Sequence, residues 1–175
     1  MVSAITAPAK LLSLISKKPQ IFTDALTIAI GLIRGYSLAN LKWMCKQSVL
    51  ESAASTSNVF QVCNNAWGMN AVTVRKTTQE GIYEAPNGEK LGVYPTLFAG
   101  ALDRFYWDDY WGYSAYKRNT DYAQIVSNRY HESTGYAPAV DAVDNSAFRT
   151  AFVAVIAALP VELIILKMIW NFSNH

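Results

Sequence analysis

Cysteine, histidine and charge are all scarce in this chain, and each scarcity removes a class of function. The 175 residues include two cysteines, Cys45 and Cys63, and two histidines. The cysteines lie 18 positions apart without CxxC spacing, so neither a zinc site nor any other metal centre is expected. Two free, half-buried thiols are the expected state, with one disulfide as the alternative. Charged residues make up 16% of the chain, which is low for a soluble domain. The formal net charge of +2 is too small and too dispersed for nucleic acid, although it suits approach to an anionic surface. At the N-terminus, Lys10, Lys17 and Lys18 interrupt or follow Leu11, Leu12, Leu14 and Ile15. A secretory signal has its basic segment first, so residues 1–20 read as an amphipathic leader. No internal repeat or low-complexity segment is apparent.

What is present is apolar and periodic. Apolar residues make up 51% of the chain, enough for one domain with a real core. From Ile21 to Leu50 they recur at three- and four-residue steps, which predicts helix. Gly35-Tyr36-Ser37 interrupts it, and Ser37 is placed to cap a second helix running to about Ala54. Val72, Val74, Thr78, Glu80, Ile82 and Glu84 share one parity. Ala85-Pro86-Asn87-Gly88 and a short run Lys90–Tyr94 follow, a hairpin pattern. Helical spacing returns from Leu97 to Tyr136 with many aromatics. The expected fold class is therefore α+β, mainly helical with one small β-hairpin, over residues 21–147.

Glu51 stands at the end of an apolar-faced helix, followed by Ser52-Ala53-Ala54-Ser55. A carboxylic acid shielded on one side and open on the other suits proton donation to a glycosidic oxygen; a solvated helix-end acid is the plainer reading. Around it run Gln47-Ser48-Val49-Leu50-Glu51-Ser52 and Asn64-Asn65-Ala66-Trp67-Gly68-Met69. Downstream come Thr77-Thr78-Gln79-Glu80, Leu91-Gly92-Val93-Tyr94, Asp103, Asp121-Tyr122-Ala123-Gln124 and Gly135-Tyr136-Ala137. In order and spacing, across roughly residues 22 to 147, this set resembles the bacterial and phage glucosaminidases of the lysozyme-like superfamily.

The resemblance implies a lysozyme-like fold, no cofactor, and cleavage of β-1,4 bonds in peptidoglycan glycan strands after N-acetylglucosamine. It makes Glu51 the proton donor. Glu80 is the first choice for a second catalytic carboxylate and Glu84 its alternate, while the substrate's own acetamido group is a third option. Asn64, Asn65, Trp67, Tyr94 and Tyr136 match substrate-binding positions, with core packing as the alternative for Trp67 and Tyr94. The cluster Phe105–Tyr113 reads as core and loop aromatics, with a glycan surface or a membrane-interface belt as alternatives. One departure stands out: the family follows its Leu-Glu-Ser with Gly-Trp-Gly, where this chain has Ala53, Ala54 and Ser55. A lytic transglycosylase, a muramidase or a catalytically weakened glycan-binding protein are the alternative readings.

Residues 148–175 form a C-terminal apolar segment. Its run from Thr150 to Phe172 spans about 35 Å as a helix, against about 30 Å for a bilayer core. Pro160, Glu162 and Lys167 oppose a plain span, and a mid-membrane Glu costs about 2.5–3.5 kcal/mol. A membrane anchor through residues 150–172 is expected, with a helix docked on a partner protein and then a core helix of this domain as alternatives. The setting that fits is a virion internal membrane or a bacterial envelope, with other virion proteins as further partners.

Overall fold

The computed structural model describes residues 18–130 and 135–158. The expected leader over residues 1–17 and the anchor segment beyond Ala158 lie outside the described residues. Within them the chain is mostly helical with one two-stranded antiparallel sheet, the expected α+β class.

Helix α1 (Pro19–Ile33) opens with Pro at its first turn, where a missing N–H is harmless. It closes at Gly35, whose φ of +81° is the left-handed conformation that glycine tolerates best. Tyr36 N donates to Gly31 O and Gly35 N to Leu32 O, a Schellman closure. Two residues later Ser37 accepts from Asn40 N at 3.2 Å and caps α2 (Leu38–Glu51), as the sequence predicts. The short α3 (Asn58–Cys63) is capped in the same way by Ser57.

The hairpin is shorter than parity suggests. Strands β1 (Gly81–Glu84) and β2 (Lys90–Val93) pair with Tyr83 opposite Leu91 and Glu84 opposite Lys90. Gly88 N donates to Ala85 O at 2.8 Å, and Gly88 has φ +83°, so the Pro-Asn-Gly turn is real. Residues 72 to 80, expected as strand, are irregular instead. The reason is tertiary: Arg75 and Thr78 N bond to Asp103 at 2.7 to 3.3 Å, and among the described residues only Glu80, at the segment's end, makes a backbone bond to β2, from its N to Val93 O at 2.9 Å.

Helix α4 (Leu97–Tyr110), a 3-10 turn (Tyr113–Tyr116), α5 (Tyr122–Tyr130), α6 (Tyr136–Ala142) and α7 (Ser146–Ala158) follow among the described residues. The main core gathers Leu41, Trp43, Met44, Phe60, Trp67, Phe105, Tyr122 and Val126 around α2 and α4. A second cluster joins Ile28, Cys45, Ala151 and Val155. Ala151, Ala154 and Val155 share one face of α7, so the described part of the C-terminal apolar segment packs on α1 and α2. Among the described residues, no helix is long and apolar enough to cross a membrane. Cys45 and Cys63 are both buried and unbonded.

Candidate active site

Glu51 is the last residue of α2, and the chain leaves it by an unusual route. Ala53, Ala54 and Ser55 have φ of 49°, 53° and 67°, three successive L-residues in a left-handed conformation that costs roughly 1–2 kcal/mol each. The turn is held by bonds within it and by one to α1. Ser55 N donates to Ser52 Oγ at 2.9 Å and Ser55 Oγ to Gln20 Oε1 at 3.0 Å. Ala54 N reaches Val49 O at 2.8 Å. The backbone thus reverses directly behind a half-buried carboxyl.

The carboxyl faces two elements far away in sequence. Tyr136 Oη donates to Glu51 Oε1. Gln47 Nε2 donates to that same hydroxyl at 3.0 Å, and Arg104 Nε donates to Gln47 Oε1 at 3.3 Å. Arg104 is fully buried and ion-paired with Asp108, equally buried, which also accepts from Tyr36 and Tyr122. The hydrogen bonds therefore run in one direction, from a buried guanidinium through an amide and a phenol to the acid. Burial, reinforced by the charge of Glu51, pushes the Tyr136 phenol up, so it stays a donor. Tyr130 stacks on Tyr136 with centroids 6.0 Å apart and planes at 14°, which fixes the ring.

On the other side of the acid lies Gly68. Its φ is +59°, and a Cβ there would come within 3.3 Å of Glu51 Oε2. Glycine at this position leaves the second carboxyl oxygen uncrowded.

The expected substrate contacts divide. Tyr136 meets Glu51 directly. Trp67, Tyr94 and Asn65 each have only 1% of their surface exposed, and a side chain so buried has no face to offer a sugar. Their expected role as cleft lining is replaced by support from behind. Trp67 Nε1 donates to Met44 O at 3.2 Å. Asn65 Nδ2 bonds to Met69 O and Gly92 O, and its Oδ1 accepts from Met69 N. These bonds shape the 64–70 segment that carries Gly68. Asn64 is half-buried, sits at φ 52° as the C-cap of α3, and donates to Tyr94 O at 2.9 Å, so it too is structural. Tyr94 Oη donates to Asp103 Oδ2 at 2.7 Å. Burial alone would raise Asp103, but bonds from Arg75 and Tyr94 outweigh it and hold the group below the usual carboxylate range. The hairpin acids stay in solvent: Glu80 precedes β1 and Glu84 ends it, both exposed.

A cleft of about 300 Å³ opens next to Gly68, lined among others by Arg75, Trp107, Trp111, Arg129 and Tyr130. Trp107 and Trp111 are four residues apart and project from one side of the end of α4. That spacing is visible in the sequence within the aromatic cluster, but its direction is not. Arg129, at the end of α5, carries no sequence signal. Among the described residues, no group of three His, Cys, Asp or Glu side chains is arranged to hold a metal ion.

No family model and no curated protein matches this chain. Among solved structures it is similar to a chain in a type VI secretion system effector–immunity complex from Pseudomonas protegens. The two are 18% identical, with 83% of this chain and 94% of the other covered and a TM-score of 0.48. A likeness at that level carries no functional weight.

Proposed function

We propose that the chain is a peptidoglycan hydrolase of the N-acetylglucosaminidase type, built on a lysozyme-like fold, with Glu51 as its general acid. The observation that carries this reading is the setting of Glu51. One carboxyl oxygen is held by the Tyr136 hydroxyl, the other faces Gly68, and Gly68 borders an aromatic-lined cleft. Held in this way, the acid gives its proton to the leaving glycosidic oxygen, and the carboxylate that forms keeps the Tyr136 bond. Trp107, Trp111 and Tyr130 supply ring surfaces for the apolar faces of sugars.

Glu80 and Glu84 are solvated at the hairpin. That suits a base activating water better than a nucleophile held against the sugar, and the substrate acetamido group is the remaining route. In this reading the apolar run 150–172 meets a membrane only beyond Ala158, because residues 150–158 pack on α1 and α2 as part of α7. Digestion of purified peptidoglycan followed by mass spectrometry tests the bond specificity. New reducing ends on N-acetylglucosamine are expected, whereas anhydro-muramyl products would assign the chain to lytic transglycosylases instead.

A second reading has one specific observation behind it. The chain has Ala53-Ala54-Ser55 where the family it resembles has Gly-Trp-Gly, so a glycan-binding protein with little turnover is the competitor; it predicts binding to peptidoglycan without product.

A further inference from the structure

The cleft that Gly68 borders is unevenly charged. Arg75 is already neutralised there: both terminal nitrogens bond to Asp103, and its side chain is 2% exposed. Arg129 differs. It is exposed, makes no ion pair among the described residues, and its guanidinium carbon lies 3.8 Å from the centre of the Trp111 ring. Trp111 is itself 40% exposed. Stacking on an indole face steadies a planar guanidinium while leaving its N–H edge unused. That edge matches the two oxygens of a carboxylate. Among the described residues no acidic side chain lines the cleft, and Arg129 is the cation there without a counter-charge.

Resting on the glycan-hydrolase reading above, we propose that Arg129, steadied on Trp111, forms a subsite that selects glycan strands bearing a free carboxylate on the sugar. A polymer of N-acetylglucosamine alone offers hydroxyl and acetamido groups and no charge. A strand whose alternate sugar carries a lactyl ether offers a carboxylate when that group is free, and none when it is tied up as an amide to a peptide. The subsite therefore favours strands already stripped of their peptides. The reaction class that must supply this substrate is amide hydrolysis.

The test is equilibrium binding by tryptophan fluorescence, with the full chain carrying Glu51→Gln to prevent turnover. Three probes are compared: peptide-stripped strands, intact strands, and neutral N-acetylglucosamine oligomers of equal length. Stripped strands are expected to bind best. Adding Arg129→Gln should lower their advantage over the neutral oligomers about fivefold, Arg129→Lys should restore part of it, and salt should weaken it. Arg129 is exposed, so an unchanged melting curve for each variant is the control for folding. An undiminished advantage in Arg129→Gln, or equal loss on all three probes, overturns the proposal. A preference for intact strands overturns it too, because the recognised carboxylate would then sit on the peptide. Should the wild type cleave nothing while keeping this binding pattern, the hydrolase reading falls and the subsite stands.

Discussion

The hydroxyl of Tyr136 donates to the carboxyl of Glu51 across 85 positions of sequence, and it receives a bond from Gln47, one turn back on the helix that Glu51 ends. The acid is thus oriented by its own helix and by α6 together. Tyr136→Phe removes the donor and keeps the ring. The loss of one hydrogen bond should cost about 1 kcal/mol of stability. Turnover on peptidoglycan should fall by about tenfold to a hundredfold, because a misplaced catalytic group loses that much. Initial rates beside a melting curve separate the two effects, and a fall in KM alone would argue against an orienting role.

The far end of the relay is a buried ion pair. Arg104 and Asp108 are both 0% exposed, and Asp108 also takes bonds from Tyr36 and Tyr122. Asp108→Ala would leave the guanidinium without a counter-charge, at a cost of about 3–5 kcal/mol. Urea unfolding measures this. A change below about 1 kcal/mol would mean that water reaches the site.

The left-handed turn after Glu51 makes an opposite prediction. Ala54 is exposed at φ 53°, a conformation that glycine adopts without strain. Ala54→Gly should therefore stabilise the protein by about 1 kcal/mol, the relief of strain exceeding the added entropy of the unfolded chain. Thermal melting reads the sign directly.

How much of this was legible in the sequence differs by element. Ser37 as a cap and Pro86-Asn87-Gly88 as a turn are local chemistry, and both appear as read. The parity of Val72 to Glu80 misled because alternation does not require a partner strand, and Asp103, on a different element, holds that segment as coil. Trp67 and Tyr94 were expected at the cleft because motif position says nothing about which way a ring faces; burial turned both inward. Trp111 and Arg129 come together only when α4 and α5 meet, a relationship that no local pattern encodes.

Asp24 supplies a pH signature. It is 1% exposed between α1 and α2, and burial raises it from 3.8 to about 7 against hydrogen bonds from Gln20 and Ser48. The folded form therefore holds this proton over a range in which the unfolded chain has lost it. The contribution of Asp24 to stability is fully present below about pH 4 and is lost as pH rises towards 7. The slope within that window approaches about 1.4 kcal/mol per pH unit. Asp24→Asn should remove this component, seen as the difference between the stability–pH curves of the two proteins. Parallel curves from pH 4 to 7 would show that Asp24 titrates normally.

The most direct measurement is a peptidoglycan zymogram of the full-length wild type beside Glu51→Gln, with unchanged melting of the variant as the control for folding. The account predicts clearing by the wild type and none by the variant, a loss of at least about a hundredfold for removal of a general acid. Equal clearing by both proteins, or binding to peptidoglycan by both with clearing by neither, would contradict it.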